Sequence, residues 1–519
     1  MFNYIKDRFC FDQSIKFDTF EIVNDQIMSN PNVNIEWIHE SRLNDQYQIH
    51  VFEDYTIRLR YGNLRSKSYI LNALKELEIP MKVGIYEGGP DSNIRGIIEG
   101  FYGEPWSHED RLDVVDFMDE FHMNAFFYAP KDDAYHRELW RTPYPKKEFL
   151  QLQEIIKHCQ NKNIDFYFCI SPGKDFNYLN EEDYQQLYLK IHQVINIGVS
   201  HISILFDDID YKLTEDAILK YKRPGIAHAH VANVLLEKIK KEHETVELIM
   251  CPTEYYLNKQ TQYIDDLKQH VHKDVWMFWT GYNTVAEVIP DLDGKRMLEY
   301  FGHKLLLWDN YPVNDMATHR LFLGPLKHRS KKIFLTHEGM ISNPMIQWHA
   351  SKIPLITMAL FMWDTHAYNP QLAYEYAIKK LAKHDDVLFE KIKIFADEHK
   401  SNILYEEEDP LDVAIEKNDL NQIAQYYSNL IDAIDYLEMY LDKKMLNNFK
   451  PWIHIIKEDV ELLNKMINKE GITVERLKDR AYVSGRNTVM KLMKKLNLID
   501  DEYFKKKRIN YWLQKDAQL

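Results

Sequence analysis

Asp165-Phe166-Tyr167-Phe168-Cys169-Ile170-Ser171, a helix-like stretch from Glu181 to Ile197, and then His201-Ile202-Ser203-Ile204-Leu205-Phe206 form one strand–helix–strand unit. Both apolar runs are too short for a helix and rich in Ile, Phe and Leu. The segment between them repeats its apolar residues at helical spacing. The same unit recurs on either side. Further short apolar runs lie at Arg95–Tyr102, Asn124–Ala129, Val246–Cys251, Val275–Thr280, Lys304–Trp308 and Lys332–Leu335, with helix-like segments such as Glu109–Phe121, Lys147–Gln160 and His228–Glu242 between runs. Eight such units fit a (β/α)8 barrel, which takes roughly 250 residues. An open, doubly wound sheet is the alternative. No GxGxxG turn follows any run, so the closed barrel is expected.

Outward from the barrel the pattern changes twice. Before it, Gln46–Phe52 and Tyr55–Arg60 read as a hairpin, and Ser66–Glu78 as a helix. The stretch Glu87-Gly88-Gly89-Pro90-Asp91 breaks structure. After it, Leu372–Lys383, Leu420–Leu441 and Trp452–Ile467 carry helical periodicity, and Glu406–Pro410 reads as an exposed loop. The expected architecture is α/β: a small α/β domain over residues 1–92, the barrel over 93–365, and a helical bundle over 366–519.

Composition narrows the function classes. The 519 residues carry a formal net charge of −15, which argues against a nucleic-acid or anionic-membrane partner. A basic run at Phe504–Arg508 reads as a solvated helix face. None of Cys10, Cys159, Cys169 and Cys251 forms a CxxC pair, so neither a zinc ribbon nor a disulfide scaffold is suggested. The first residues lack the apolar core of a secretion signal, and no apolar run reaches membrane-spanning length, so a cytoplasmic protein is expected.

In a (β/α)8 barrel the reacting groups follow the strands. The first run is followed by Glu99, Gly100, Tyr102 and Trp106, and the second by Lys131-Asp132-Asp133. The fourth leads into Asp207-Asp208-Ile209-Asp210, and the fifth into Thr253-Glu254-Tyr255. The seventh delivers Trp308-Asp309-Asn310 and then Asp315, and the eighth is followed by Glu338 and Asn343. Adjacent side chains on a strand point to opposite sides, so Asp207 and Asp208 can serve one site only where the chain bends out of the barrel. A protonated carboxyl beside an ionised one suits glycosidic bond cleavage. A metal site or a helix cap are the other readings of such a pair, and the metal is weakened because no His stands at ligand spacing nearby. His228 and His230, two apart on a helix, read as incidental. Trp106, Trp140, Trp279 and Trp308 are candidates for a sugar-stacking platform, though each taken singly fits a core position better.

Arg95–Trp106, Tyr128–Asp133, Leu205–Asp210, Cys251–Tyr255, Trp279–Gly281, Trp308–Asn310, Asn314-Asp315, Arg320–Pro325 and Asn343-Pro344, in that order, resemble glycoside hydrolase family 84, which includes the protein O-GlcNAcases. The resemblance implies a retaining exo-β-N-acetylglucosaminidase that uses the acetamido group of its own substrate as nucleophile. It makes Asp207 the residue that orients the acetamido N–H and Asp208 the acid, then the base. Tyr255 would bind the acetamido oxygen, and Gly100 (by its carbonyl), Lys131, Asp315 and Asn343 the sugar hydroxyls. Asn310 would support the acetamido end, while Trp308 and Tyr102 would wall the cavity. No metal and no cofactor is implied, and the partner would be a β-GlcNAc-bearing glycoside, glycan or glycoprotein. A binding protein without turnover, on the same barrel, is the rival. Glu104 and Tyr282-Asn283 depart from the family pattern, which bears on the aglycone rather than the reaction.

Overall fold

The computed structural model describes residues 2–14, 21–23, 26–28, 33–54, 56–76, 82–210, 212–402, 404–405, 413, 417 and 420–467. The expected loop at Glu406–Pro410 and the basic run at Phe504–Arg508 lie outside the described residues. Two compact units divide the chain. Met1–Val313, Pro325–Trp348 and Pro354–Tyr376 make the first; Asn314–Gly324, His349–Ile353 and Ala377–Leu519 make the second.

The first unit opens with strands β1 (Asp7–Ser14), β2 (Glu21–Val23), β3 (Gln26–Met28), β4 (Asn34–His39), β5 (Tyr47–Val51), β6 (Thr56–Tyr61) and β7 (Lys82–Gly88). Five of them form a sheet in the order β1-β7-β5-β6-β4, and β2 pairs with β3. The expected hairpin is β5–β6, antiparallel with Tyr47 opposite Tyr61. Helix α1 (Leu64–Glu76) begins two residues before the expected start, because the Asn63 side chain accepts from the Ser66 N–H and caps it there. Tyr69, Ile70, Ala73 and Leu74 of α1 are buried with Ile49, Ile57 and Leu59. The expected break comes at Gly89, since Glu87 and Gly88 still belong to β7. A buried ion pair ties this layer to the first barrel strand: Arg95 Nη2 lies 2.6 Å from Asp45 Oδ2. Burial opposes the charge on Asp45, yet Arg95 and Arg65 outweigh it and hold the carboxyl well below its usual range.

The barrel strands are β8 (Ile94–Glu99), β9 (Ala125–Tyr128), β10 (Asp165–Ile170), β11 (His201–Leu205), β12 (Glu247–Cys251), β13 (Trp276–Trp279), β14 (Leu305–Asp309) and β15 (His337–Ser342). Neighbours pair in parallel, and β15 closes on β8 with Gly339 opposite Ile94. Every residue of β8, β9 and β14 is buried, as expected of parallel strands covered on both faces. Alternate positions point inward: Ile98, Phe127, Tyr167, Cys169, Ile249, Cys251, Phe278, Leu306 and Ile341 share one core cluster.

The eighth strand corrects the sequence reading. Ile333–Leu335 is a single 3-10 turn with Leu335 76% exposed, and the strand is His337–Ser342. The apolar run misled because the true strand opens on His337-Glu338-Gly339, where a Cβ at Gly339 would meet the Ile94 carbonyl at 2.2 Å. Glu338 therefore lies at the start of a strand, 3.4 Å from Lys304, and not on the rim where strands end.

Helices wall the barrel: α2 (His108–Glu120), α3 (Lys146–Asn161), α4 (Glu181–Ile195), α5 (Glu215–Tyr221), α6 (Pro224–Glu242), α7 (Gln262–His270), α8 (Asp291–Phe301) and α9 (Trp348–Trp363). Helix α6 starts four residues before the expected His228, with Pro224 in its first turn, where a missing N–H costs nothing.

Later in the chain come α10 (Pro370–Leu381), α11 (Asp386–Glu398), α12 (Leu420–Tyr440) and α13 (Lys443–Ile467). In the second unit Phe395 packs on Phe449 with ring centroids 4.4 Å apart, amid buried Ile392, Leu430, Ile434 and Leu437. Helix α13 starts well before the expected Trp452. Asp442 Oδ1 accepts from the N–H groups of Lys444 and Met445, which sets the start, and Pro451 sits inside the helix rather than ahead of it. Among the described residues no helix is long and apolar enough to cross a membrane.

Candidate active site

Strand β11 ends at Leu205, and two residues later the chain turns sharply. Asp208 has φ +53°, a left-handed conformation that Asp tolerates better than most side chains. This is the bend that the Asp207-Asp208 pair requires. It leaves Asp207 buried and Asp208 exposed. Behind the turn, Phe206 stacks on the His228 ring at 4.3 Å. His228 is buried on α6 and bridges the hydroxyls of Tyr178 (2.9 Å) and Tyr263 (2.7 Å). That residue is thus a support for the turn and not incidental.

Asp207 faces Lys131, which follows β9. Lys131 Nζ donates to Asp207 Oδ2, and both side chains are buried. Burial works to discharge the lysine, but Asp207 leads the neighbours that outweigh it and hold the ammonium above its usual range. The other oxygen, Asp207 Oδ1, is buried and has no hydrogen-bond partner among the described residues.

Asp208 is held from three sides. Tyr255 Oη donates to its Oδ1 at 2.9 Å, and Tyr102 Oη to its Oδ2 at 2.9 Å. Arg137 donates to the Tyr102 hydroxyl at 2.8 Å and to the Asp208 carbonyl at 3.2 Å. Burial first, and then the charge of Asp208, push the Tyr255 phenol up; burial pushes Tyr102 up to about 12. Both hydroxyls therefore stay protonated donors.

A third network crosses the rim. The Gly100 N–H donates to Asn343 Oδ1 at 3.2 Å, and Asn343 Nδ2 to Asn310 Oδ1 at 2.9 Å. Trp308 Nε1 donates to the same Asn310 oxygen at 2.9 Å, and Asn310 Nδ2 to the Thr284 carbonyl at 2.7 Å. Glycine at 100 leaves room for Trp308, since a Cβ there would sit 2.6 Å from Trp308 Cζ2 and force the indole to shift. Lys131 Nζ lies over the Trp308 ring, 5.7 Å from its centroid.

The structure thus brings together Gly100, Tyr102, Lys131, Asp207, Asp208, Tyr255, Trp308, Asn310 and Asn343. Asp315 stands on the 3-10 turn Asp315–Ala317 of the second unit, half-buried. Of the four candidate stacking residues, Trp308 is the one in these networks. Trp106, Trp140 and Trp279 are buried, and their indole N–H groups bond Ile346 O, Asp175 Oδ1 and Leu257 O. Glu99 is fully engaged by Arg111 and the Trp106 N–H. Asp133 accepts from the hydroxyls of Tyr128 and Tyr144. Sequence reasoning missed Arg137 and Thr284, which sit in loops with no periodicity to mark them.

A family model described as beta-N-acetylglucosaminidase matches residues 95–397, more than half of the chain and the span that holds every residue above. The protein O-GlcNAcases of Mus musculus and Rattus norvegicus are each 32% identical over 278 residues, covering 52% of this chain. The match covers only 30% of the length of each of those relatives. Among solved structures, CpGH84B superposes with TM-score 0.68 and 28% identity, covering 88% of this chain and 83% of that one. A mutant of the Thermobaculum terrenum O-GlcNAc hydrolase gives TM-score 0.71 and 28% identity, over 79% of this chain and 96% of that one.

Proposed function

This chain belongs to the β-N-acetylglucosaminidase family, glycoside hydrolase family 84, and we propose that it removes terminal β-linked GlcNAc with retention, through an oxazoline formed by the substrate's own acetamido group. The observation that carries the reading is the state of Asp207. Lys131 neutralises one oxygen, and the other is a buried acceptor without a donor among the described residues, beside the exposed Asp208. A buried carboxylate oxygen left unpaired is costly, and the acetamido N–H of a bound sugar supplies the missing donor.

With the N–H held by Asp207 Oδ1, the acetamido oxygen attacks the anomeric carbon. Asp208 gives its proton to the departing glycosidic oxygen. Water then adds to the same carbon, Asp208 takes a proton from it, and the oxazoline reopens. Two inversions leave the configuration retained. Because the nucleophile is carried on the sugar, its attack benefits from a high effective molarity. Tyr255 moves its hydroxyl from Asp208 to the acetamido oxygen when sugar enters. Gly100, Lys131 and Asn343 receive the sugar hydroxyls; Trp308, Tyr102 and Asn310 enclose the acetamido end. The substrate is a β-GlcNAc glycoside, glycan or glycoprotein; the likeness to relatives named protein O-GlcNAcase supports the last of these.

The test is release of aryl groups from aryl β-GlcNAc, with proton NMR of the first sugar anomer formed. Asp208→Asn is expected to lose about 10²–10⁴-fold with poor leaving groups and far less with good ones. No turnover by folded wild type would sink the reading in favour of a binding protein. Equal losses on both kinds of leaving group would remove Asp208 from the acid role.

A further inference from the structure

Helices α4 and α6 pack side by side and end together, where β11 and β12 begin, at the opposite end of those strands from Asp207 and Asp208. The last turn of α4 carries His192. Helix α6 finishes at Glu242, with His243 as its C-cap. Neighbouring residues on a helix diverge by about 100°, but His243 has φ −138° and ψ 77°, outside helical geometry, so its ring returns towards α4. His192 Nε2 stands 3.4 Å from Glu242 Oε2, and the His192 and His243 rings have centroids 5.6 Å apart. One ligand atom from each of the three residues lies within 4.8 Å of the other two.

An ordinary surface ion pair explains His192 and Glu242. It does not explain His243, whose Nε2 is buried with no hydrogen-bond partner among the described residues. Two imidazoles and a carboxylate are the donor set of three-ligand zinc sites, in which a water takes the fourth position. Bonds of about 2.0–2.1 Å give a tetrahedron an edge of about 3.4 Å, the spacing already present between His192 and Glu242. Both helices also turn their C-terminal, partly negative ends to this spot, which favours a cation.

We propose that His192, Glu242 and His243 bind one divalent transition-metal ion of the zinc class, clamping the ends of α4 and α6. The site is separate from the glycosidic chemistry. The experiment is zinc titration of the untagged, chelator-stripped full chain, followed by calorimetry and thermal melting. Wild type is expected to bind one zinc per chain, with Tm raised by a few degrees when zinc is in large excess over Kd. His243→Ala leaves the His192–Glu242 pair in place, and His192→Gln keeps the helix. Each should weaken binding by about tenfold or more without altering turnover of aryl β-GlcNAc by the metal-free protein. Absence of saturable binding by wild type, or unchanged binding in both variants, overturns the assignment.

Discussion

Three barrel strands deliver a buried carboxylate to the same rim, and they meet different partners. At the ends of β8 and β14, Glu99 and Asp309 each face an arginine fork. Arg111 engages both oxygens of Glu99, at 2.7 and 2.8 Å, and Arg329 both oxygens of Asp309, at 2.6 and 2.9 Å. Just past β11, Asp207 faces a lysine. Burial and charge pairing are alike in all three; the difference is the shape of the cation. A planar guanidinium takes two oxygens at once, whereas an ammonium is a point charge that takes one. The arginines use up their carboxylates and lock the frame. Lysine neutralises Asp207 and leaves one oxygen without a hydrogen bond among the described residues.

The largest expected effect lies in the frame. Arg329→Met strands a buried carboxylate and should lower stability by about 3–5 kcal/mol in chemical denaturation, with kcat close to wild type in whatever remains folded. A loss confined to kcat would erase the distinction between the two kinds of pair. Next comes Lys131→Arg, which keeps the charge but offers Asp207 a fork. If the free oxygen matters, kcat/KM should fall by about 10²-fold with little change in Tm, and unchanged kcat/KM would show that shape is irrelevant there. Gly100→Ala sharpens the same point on the neighbouring wall. Its methyl has to displace Trp308, at a cost of about 1–3 kcal/mol in stability, and KM should rise.

A further effect concerns pH. Burial holds His122, His136 and His228 down at about 3, against an ordinary 6.5. A depressed value means that the folded state binds fewer protons than the unfolded one in between. Stability from these groups is therefore full above pH 6.5 and is lost as pH falls towards 3. Tm measured across that window should decline, and His228→Gln should flatten the decline. An unchanged slope would remove His228 as a contributor.

Much of this was legible in the chain. Seven of the eight strands show as short apolar runs because parallel strands buried on both faces need side chains such as Ile202, Ile204 and Leu205 throughout. Strand β15 hid because close packing against β8 demanded Gly339 where a pattern reader looks for a branched residue. Helix α13 was misplaced for a similar reason: Pro451 reads as a boundary, yet the Asp442 cap starts the helix ahead of it. At the site, the Asp207-Asp208 pair and the residues matched through family likeness were all named beforehand. Arg137 and the supporting role of His228 were not, since neither a loop arginine nor a core histidine carries a local signature.

The sequence by itself determined the repeating strand–helix pattern, the barrel that follows from it, and the two neighbouring aspartates. Hydrophobic spacing and a dipeptide are local properties, written within a few residues. Only the tertiary structure decided who meets whom. Lys131 reaches Asp207 across 76 positions, and Gly100 reaches Asn343 across 243, because β15 closes on β8. Which oxygen of Asp207 stays free is set by the shape of a cation brought in from another strand, and no local pattern encodes that.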